Sequence, residues 1–402
     1  MNLIRMDEKM SLDNVRNIVI IGAGLMGHNV AQIALMTGYN VTLVDIKQDF
    51  IDKGVAMIED GLKKLEAKGQ LGDGMAAADI MAHLTTSLDL VSTVQDADFV
   101  IEAVVEDMGI KQQVFKTCDE NTPSHCILAT NTSTMSITEI ASATNRPEKV
   151  CGMHFFNPPI FMRLIEIIAG DLTSDETMNI GVKLGESLTC LKGKRYVPLV
   201  LKDRPGFIVN RLNAPVQIYL STIFDKAAEE GISWAQIDGD AGNLMPMGPC
   251  ELSDYIGIDT MFHGMNYYAK TLSPDFTPGR VIIKLMEGGN LGRKTGQGFF
   301  DWSEGRPKID KSQKAGLFKV EYSMAIMLNE GCRILEEGVA SNYKIIDEAN
   351  MAGMNTPGPF GPGKKEYVKW AEMLENLATE TGKEYLRPCE LMKSGGFLQT
   401  QK

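Results

Sequence analysis

The chain has 402 residues, 44% of them hydrophobic and 23% charged, with a formal net charge of −12. Such a length suggests two or three domains, and the composition is ordinary for a soluble globular protein. The acidic balance argues against general nucleic-acid binding, so an anionic ligand needs a local positive site such as a helix N-terminus or a few lysines.

Seven cysteines without a C-x-x-C pair argue against a disulfide framework or a zinc knuckle. They fit a reducing compartment, and we expect the cytoplasm and no bound metal. The opening MNLIRMDEKMSLDN carries charges of both signs and no apolar stretch, so it does not read as a secretion signal. No apolar run approaches the roughly 18 residues that span a bilayer, so no membrane partner is expected.

Residues 17–27 read NIVIIGAGLMG. The run Ile18–Ile21 predicts a strand buried on both faces, and LMGHNVAQIALMTG predicts a helix. Between them lie Gly22, Ala23, Gly24, Leu25, Met26 and Gly27. Gly22 permits the tight turn, Gly24 lets a pyrophosphate approach the backbone, and Gly27 lets helix and strand pack closely. The helix N-terminus then faces the phosphates. A second strand, NVTLVD, ends at Asp45, 18 residues beyond Gly27. A carboxylate there binds both ribose hydroxyls and repels a 2′-phosphate, which favours NAD over NADP.

Residues 50–68 read as a helix, DFVIEAVVED as a strand into a loop, and MGIKQQVFKTCDE as a helix. CILATNTST is another strand into a polar loop. This alternation predicts a parallel sheet with helices on both faces and a ligand at the strand C-terminal ends. Glu106 and Lys111 follow one such strand, and Asn131, Thr132 and Ser133 follow the next. The alternatives are a solvated charge pair for the first two and a helix cap for the Asn-Thr-Ser run.

VCGMHFF reads as a strand, Pro158 and Pro159 end it, and RLIEIIAG reads as the next strand. Residue 160 is midway between His154 and Glu166. If the two strands pair antiparallel about it, these residues lie opposite each other. A carboxylate in the apolar run LIEII needs a partner. A histidine held by a carboxylate is a general base with a fixed tautomer. With NAD nearby, the simplest reaction is oxidation of an alcohol. The alternative is a satisfied buried His–Glu pair.

After Asp203 the pattern turns helical. GFIVNRLNAPVQIYLSTIFDKAAEEG predicts one long helix, and WAQIDGDAG and ELSDYIGID continue the helical pattern. EEGISWAQID (229–238) recurs as EEGVASNYKIID (336–347), and LMPMGP (244–249) as PGPFGP (357–362). We read this as a diverged repeat of one helical unit. The expected fold is therefore an α/β Rossmann-type NAD-binding domain followed by all-α C-terminal domains in two tandem copies. The boundaries are placed at 1–202, 203–305 and 306–402.

The ordered series IGAGLMG…LVD, IEAVVED, ATNTS, HFFNPP…LIEII, KDRPGFIVNRL, PMGPCELSDYIGID and LGRKTGQGFF resembles the L-3-hydroxyacyl-CoA dehydrogenases over about residues 15–303. The resemblance implies NAD-dependent oxidation of an L-3-hydroxyacyl-CoA to a 3-ketoacyl-CoA, in fatty-acid β-oxidation or butyrate-type metabolism. It makes His154 the catalytic base and Glu166 its orienting carboxylate. Ser133 matches a serine that contacts both substrate and cofactor, and Asn157 an asparagine beside the nicotinamide and the thioester carbonyl. Asn210 matches an asparagine of the second domain that reaches the substrate. Asp45, Glu106, Lys111 and Lys294 match NAD-contacting positions, and Lys68 matches a lysine that contacts CoA. A family serine on that helix corresponds here to Gly61, a departure from the pattern.

In the short enzymes of the family the chain ends near GRKTGQGFF, whereas here about 100 residues remain. The second copy lacks the equivalent of Asn210, so we expect it to be structural, supplying in cis the surface that a dimer partner supplies. That implies a monomer, with a homodimer as the alternative. Two other readings stay open: a dehydrogenase of the same fold acting on gulonate or carnitine, and a non-catalytic, crystallin-like relative.

Overall fold

The computed structural model describes residues 11–72 and 74–400. Most of the stretch read above as lacking a secretion signal, MNLIRMDEKM, lies outside the described residues. The chain divides into two compact units: Met1–Phe207 with Glu348–Thr356, and Ile208–Asp347 with Pro357–Lys402.

The first unit carries β1 (Asn17–Ile21), β2 (Asn40–Val44), β3 (Leu84–Ser87), β4 (Phe99–Glu102), β5 (Ile127–Thr130), β6 (Val150–Phe155), β7 (Ile165–Ala169) and β8 (Leu199–Val200). They form one eight-stranded sheet in the order β3-β2-β1-β4-β5-β6-β7-β8. Neighbours from β3 to β6 are parallel. Strand β7 then runs antiparallel to β6, and β8 runs parallel to β7. The helices are α1 (Leu25–Thr37), α2 (Gln48–Glu66), α3 (Ala77–Met81), α4 (Leu90–Thr93), α5 (Met108–Asn121), α6 (Ile137–Ala141) and α7 (Asp175–Ser187).

Both faces of the sheet are buried, which is why β1 reads as a continuous apolar run. Ile18 and Ile20 pack in one core with Val30 and Ile33 of α1, Ile58 and Leu62 of α2, and Ile180 and Leu184 of α7. Val19 and Ile21 are buried on the opposite face. The same alternation orients β6. Met153 and Phe155 share the first core, so Gly152 and His154 face the other way. A Cβ on Gly152 would fall 2.9 Å from Ile137 Cδ1 of α6. His154 thus emerges on the α6 side of the sheet.

The approach to β6 is pinned by a clamp. Arg146 Nε donates to Asp119 Oδ1 at 2.8 Å, and its other nitrogens donate to the carbonyls of Asp119 and Pro123 and to the Thr122 hydroxyl. The Asn145 backbone N–H donates to the other Asp119 oxygen at 2.8 Å. The end of α5 and the loop entering β6 are thereby fixed together.

The helical unit contains α8 (Val209–Asn213), α9 (Val216–Glu230), α10 (Trp234–Ala241), α11 (Pro249–Ile256), α12 (Ile258–Thr271) and α13 (Arg280–Glu287). After a non-helical stretch come α14 (Val320–Glu336), α15 (Tyr343–Met354), α16 (Phe360–Thr381) and α17 (Glu390–Ser394). Residues of α15 from 348 onward group with the first unit.

The single long helix expected from Gly206 onward is two helices, α8 and α9, with Ala214 and Pro215 between them. Proline has no N–H to donate and its ring crowds the carbonyl one turn back, so Pro215 starts a new helix. ELSDYIGID likewise spans a break, at Gly257 with φ 112, between α11 and α12. Apolar spacing continued across both breaks, which hid them from the periodicity.

Two aspartates cap helices in the same manner. Asp238 of α10 accepts from the backbone N–H groups of Cys250 at 2.7 Å and Glu251 at 3.0 Å, in the first turn of α11. Asp347 of α15 accepts from those of Phe360 at 3.0 Å and Gly361 at 3.1 Å, in the first turn of α16. No helix among the described residues is long and apolar enough to cross a membrane.

Candidate active site

The first turn after β1 carries the glycine loop. Gly22 has φ +102, and a Cβ there would lie 2.6 Å from the Ala103 carbonyl oxygen after β4. A Cβ on Gly27 would lie 1.7 Å from the Gly22 carbonyl oxygen, so helix and turn fit only without it. A Cβ on Gly24 would meet nothing within 4 Å. Gly24 therefore borders open space at the N-terminus of α1, where free backbone N–H groups favour an anion. Leu25 is exposed and Met26 half-buried on the first turn of α1.

A cleft of about 640 Å³ opens there, lined among others by Gly22, Ala23, Gly24, Leu25 and Asp45. That volume suits a cofactor or drug-sized ligand. Asp45 stands at the end of β2 and ties the loop together. Its Oδ2 accepts from the Ala23 backbone N–H and its Oδ1 from that of Ile46, both at 2.7 Å. Each oxygen keeps a second lone pair for a ribose hydroxyl. Phe50 and Lys53, on one face of α2, also line the cleft. Neither was singled out from the sequence, although their spacing of three residues places them on one helical face.

At the ends of β4, β5 and β6 a polar chain crosses the sheet. The β6–β7 register sets His154 opposite Glu166, as their spacing about residue 160 predicts. His154 Nδ1 lies 2.7 Å from Glu166 Oε2. The Glu166 carboxylate can only accept, so the proton sits on Nδ1 and Nε2 carries the lone pair. The Ser133 hydroxyl, 3.0 Å from Nε2, donates to it. Both members of the His–Glu pair are buried, Glu166 completely. The Phe156 and Phe207 rings flank the imidazole, with centroids at 4.6 and 5.7 Å. Phe207 reaches this position with φ 55, a conformation costly for a bulky residue.

Glu106 and Lys111 continue the chain. Glu106 Oε1 accepts from the Ser133 backbone N–H and the Thr132 hydroxyl, both at 2.9 Å. Lys111 is only 1% exposed. Its ammonium sits 3.0 Å from Glu106, whose side chain is exposed, and 2.7 Å from the buried Glu102, so the lysine end of the pair is withdrawn from solvent while the Glu106 end reaches it. Glu102, fully buried in β4, also accepts from the Thr130 hydroxyl and the Val104 backbone N–H. The sequence reading missed Glu102, although a carboxylate in FVIEAVV carries the same signal as Glu166 in LIEII. Asn131 Oδ1 accepts from the Phe155 backbone N–H at 3.0 Å, tying the polar loop to the end of β6.

Asn157 is exposed just beyond β6, and its peptide bond to Pro158 is cis. Lys68 is exposed past the end of α2. Gly61 is half-buried, and a Cβ there would lie 2.6 Å from Gln32 Oε1 of α1. Asn210, on α8, and Lys294 belong to the helical unit. The Lys294 ammonium pairs with Asp259 at 2.5 Å. Its loop hangs on Asp254, which accepts from the Phe299 and Phe300 backbone N–H groups and from Trp302 Nε1.

The chain matches two family descriptions in order. Residues 17–200 match "3-hydroxyacyl-CoA dehydrogenase, NAD binding domain", and residues 206–302 match "3-hydroxyacyl-CoA dehydrogenase, C-terminal domain". It is 39% identical to a 3-hydroxybutyryl-CoA dehydrogenase of Clostridioides difficile over 71% of this chain and 99% of that one. It is 38% identical to the mitochondrial hydroxyacyl-coenzyme A dehydrogenase of Homo sapiens, over 72% of this chain and 91% of that one. A solved structure of 3-hydroxybutyryl-CoA dehydrogenase from Escherichia coli K12 is similar over nearly the whole length, covering 96% of this chain and 99% of its own. It has a TM-score of 0.83 and 26% identity. With two domain descriptions matched in sequence and relatives near 40% identity across most of its length, the chain belongs to the 3-hydroxyacyl-CoA dehydrogenase family.

Proposed function

We propose that this protein oxidises the 3-hydroxyl of an L-3-hydroxyacyl-CoA, such as 3-hydroxybutyryl-CoA, to the 3-ketoacyl-CoA with NAD. The observation that carries this reading is the chain Ser133–His154–Glu166, with its imidazole lone pair free of the carboxylate side. The glycine loop fits NAD: the open space at Gly24 admits a pyrophosphate to the α1 N-terminus, and Asp45 offers lone pairs to a ribose.

His154 Nε2 takes the proton of the substrate hydroxyl as general base. Glu166 holds the ring in the required tautomer and stabilises the imidazolium that forms. The Ser133 hydroxyl moves from Nε2 to the substrate oxygen and keeps it aligned. Glu106, gripped by Lys111, holds the Ser133 backbone in place. The Phe156 and Phe207 rings keep water from the imidazole. The hydride acceptor would be supplied by bound NAD, which would take hydride from C3, the carbon whose hydroxyl oxygen gives its proton to His154. Asn157 and Asn210 contact the thioester side of the substrate, and Lys294 contributes to the cofactor site. In the reverse direction the imidazolium returns the proton to the ketone oxygen.

The acidic surface requires a local cation for the CoA phosphates. Lys63 and Lys64 are paired along α2 with Glu59 and Asp60, whereas Lys68 at its end has no carboxylate partner among the described residues. We assign Lys68 to that role. Seven free thiols suit a reducing compartment such as the cytoplasm. We also read α14 to α17 as a second copy of the unit α9 to α13. Its support is the matching use of Asp238 and Asp347 to cap the helix after a Gly-Pro step.

The test is turnover of acetoacetyl-CoA with NADH, set against gulonate and carnitine with NAD. The His154→Gln variant should bind NADH normally and lose turnover by about 10²–10⁴-fold. Near-normal turnover removes His154 from the mechanism, and preference for gulonate or carnitine removes CoA from the substrate.

A further inference from the structure

Helix α8 is only five residues long, and its N-cap, Ile208, offers no side-chain cap. So short a helix has little stability of its own and takes its place from what it packs against. It carries Asn210 and, next to it, Arg211. Arg211 is 1% exposed. Its Nε donates to Glu330 Oε1 at 2.6 Å, and its two terminal nitrogens donate to the two oxygens of Glu337 at 2.8 and 2.6 Å. Glu330 is fully buried. It also accepts from the Tyr385 hydroxyl at 2.9 Å and from Arg333 at 3.1 Å, and the Arg333 guanidinium lies 4.3 Å over the Tyr385 ring. Two arginines and two glutamates leave the cluster neutral.

All of Arg211's partners lie on α14 or at its C-terminal end, beyond residue 302, where the family's C-terminal description ends. Arg211 and Asn210 are adjacent on α8, so their side chains leave the helix about 100° apart. With Arg211 turned to α14, Asn210 is held at a set angle away from it. We propose that Arg211 is a positioning residue: its fork onto Glu330 and Glu337 fixes α8 and so aims Asn210, which gives the C-terminal extension a part in turnover. This rests on the reading of Asn210 as a substrate contact.

The test uses the full chain with acetoacetyl-CoA and NADH. Arg211→Lys, Asn210→Ala and the double variant are compared at enzyme concentrations that keep residual turnover measurable. Lysine keeps the charge and loses the fork. Arg211→Lys should lower kcat about 10–100-fold, with NADH affinity unchanged. In the Asn210→Ala background the same change should cost less than about twofold, because the residue through which it acts is already gone. Glu337→Gln, milder because Glu337 is partly exposed, should repeat the pattern on a smaller scale and serves if Arg211→Lys does not fold. A lowered melting temperature with wild-type kcat, or an equal loss in both backgrounds, overturns the proposal. Wild-type kinetics in Asn210→Ala alone overturns the reading of Asn210 and the inference with it, and that single variant tells the two failures apart.

Discussion

Glu166 and Glu102 are both carboxylates set in apolar strands, and both are fully buried. Glu166 was legible because one number locates its partner: strands that turn about residue 160 bring it opposite His154. Glu102 was not, because its partners Lys111 and Thr130 come from the following helix and the neighbouring parallel strand. Register across a parallel pair depends on the crossover and is not set by a short turn. The role of Glu166 is testable by itself. In Glu166→Gln the amide oxygen can still accept from Nδ1, but it is neutral beside the imidazolium that forms. Turnover should fall about 10²-fold or more, while the fold loses about 1–3 kcal/mol as the charge-assisted hydrogen bond to His154 Nδ1 becomes a neutral one. Steady-state kinetics with a urea unfolding curve checks both, and an unchanged kcat would reduce Glu166 to a buried partner of the histidine.

At the scale of elements, period and composition carried the sheet and its crossovers, since the strands are short apolar runs bounded by glycine and polar loops. The breaks at Pro215 and Gly257 were lost because apolar spacing runs on through them. The clamp on β6 was also illegible: Asp119 and Arg146 are 27 residues apart and meet only once α5 has packed. Burial pushes the Asp119 carboxyl up, but the Asn145 N–H groups and the Arg146 guanidinium outweigh it and hold the group below its ordinary 3.8. A carboxyl with a lowered folded pKa stabilises the fold above its unfolded pKa and loses that contribution as pH falls through the folded value. Asp119→Asn should therefore cost about 1–3 kcal/mol near neutral pH. The gap between variant and wild type should begin to close as pH drops below the unfolded pKa of about 4 and should vanish only once pH has fallen through the lower folded value, where wild-type Asp119 is protonated as well. Urea unfolding across that range measures it, and a gap independent of pH would mean that the clamp works through shape alone.

For the whole molecule, the question is what residues beyond 302 do. The sequence showed the echo of EEG…ID and of the Gly-Pro step, because a cap and a turn each demand particular residues. It did not show that residues 208–347 and 357–402 would group into one compact unit, or that Arg211 would be held by Glu330 and Glu337 of the extension. Pairings over more than a hundred residues leave no local pattern to read. On the proposal that residues 306–402 are a second helical copy, they would cover, within one chain, a surface that a single copy would leave open to a partner. An apolar surface already covered has no drive to associate. The chain should then elute and scatter light as a single copy, with a mass that does not rise with concentration over about a hundredfold range. A dimer that persists on dilution and is broken by charged substitutions on α9 to α13 would show that this surface is still open, and the extension would need another explanation.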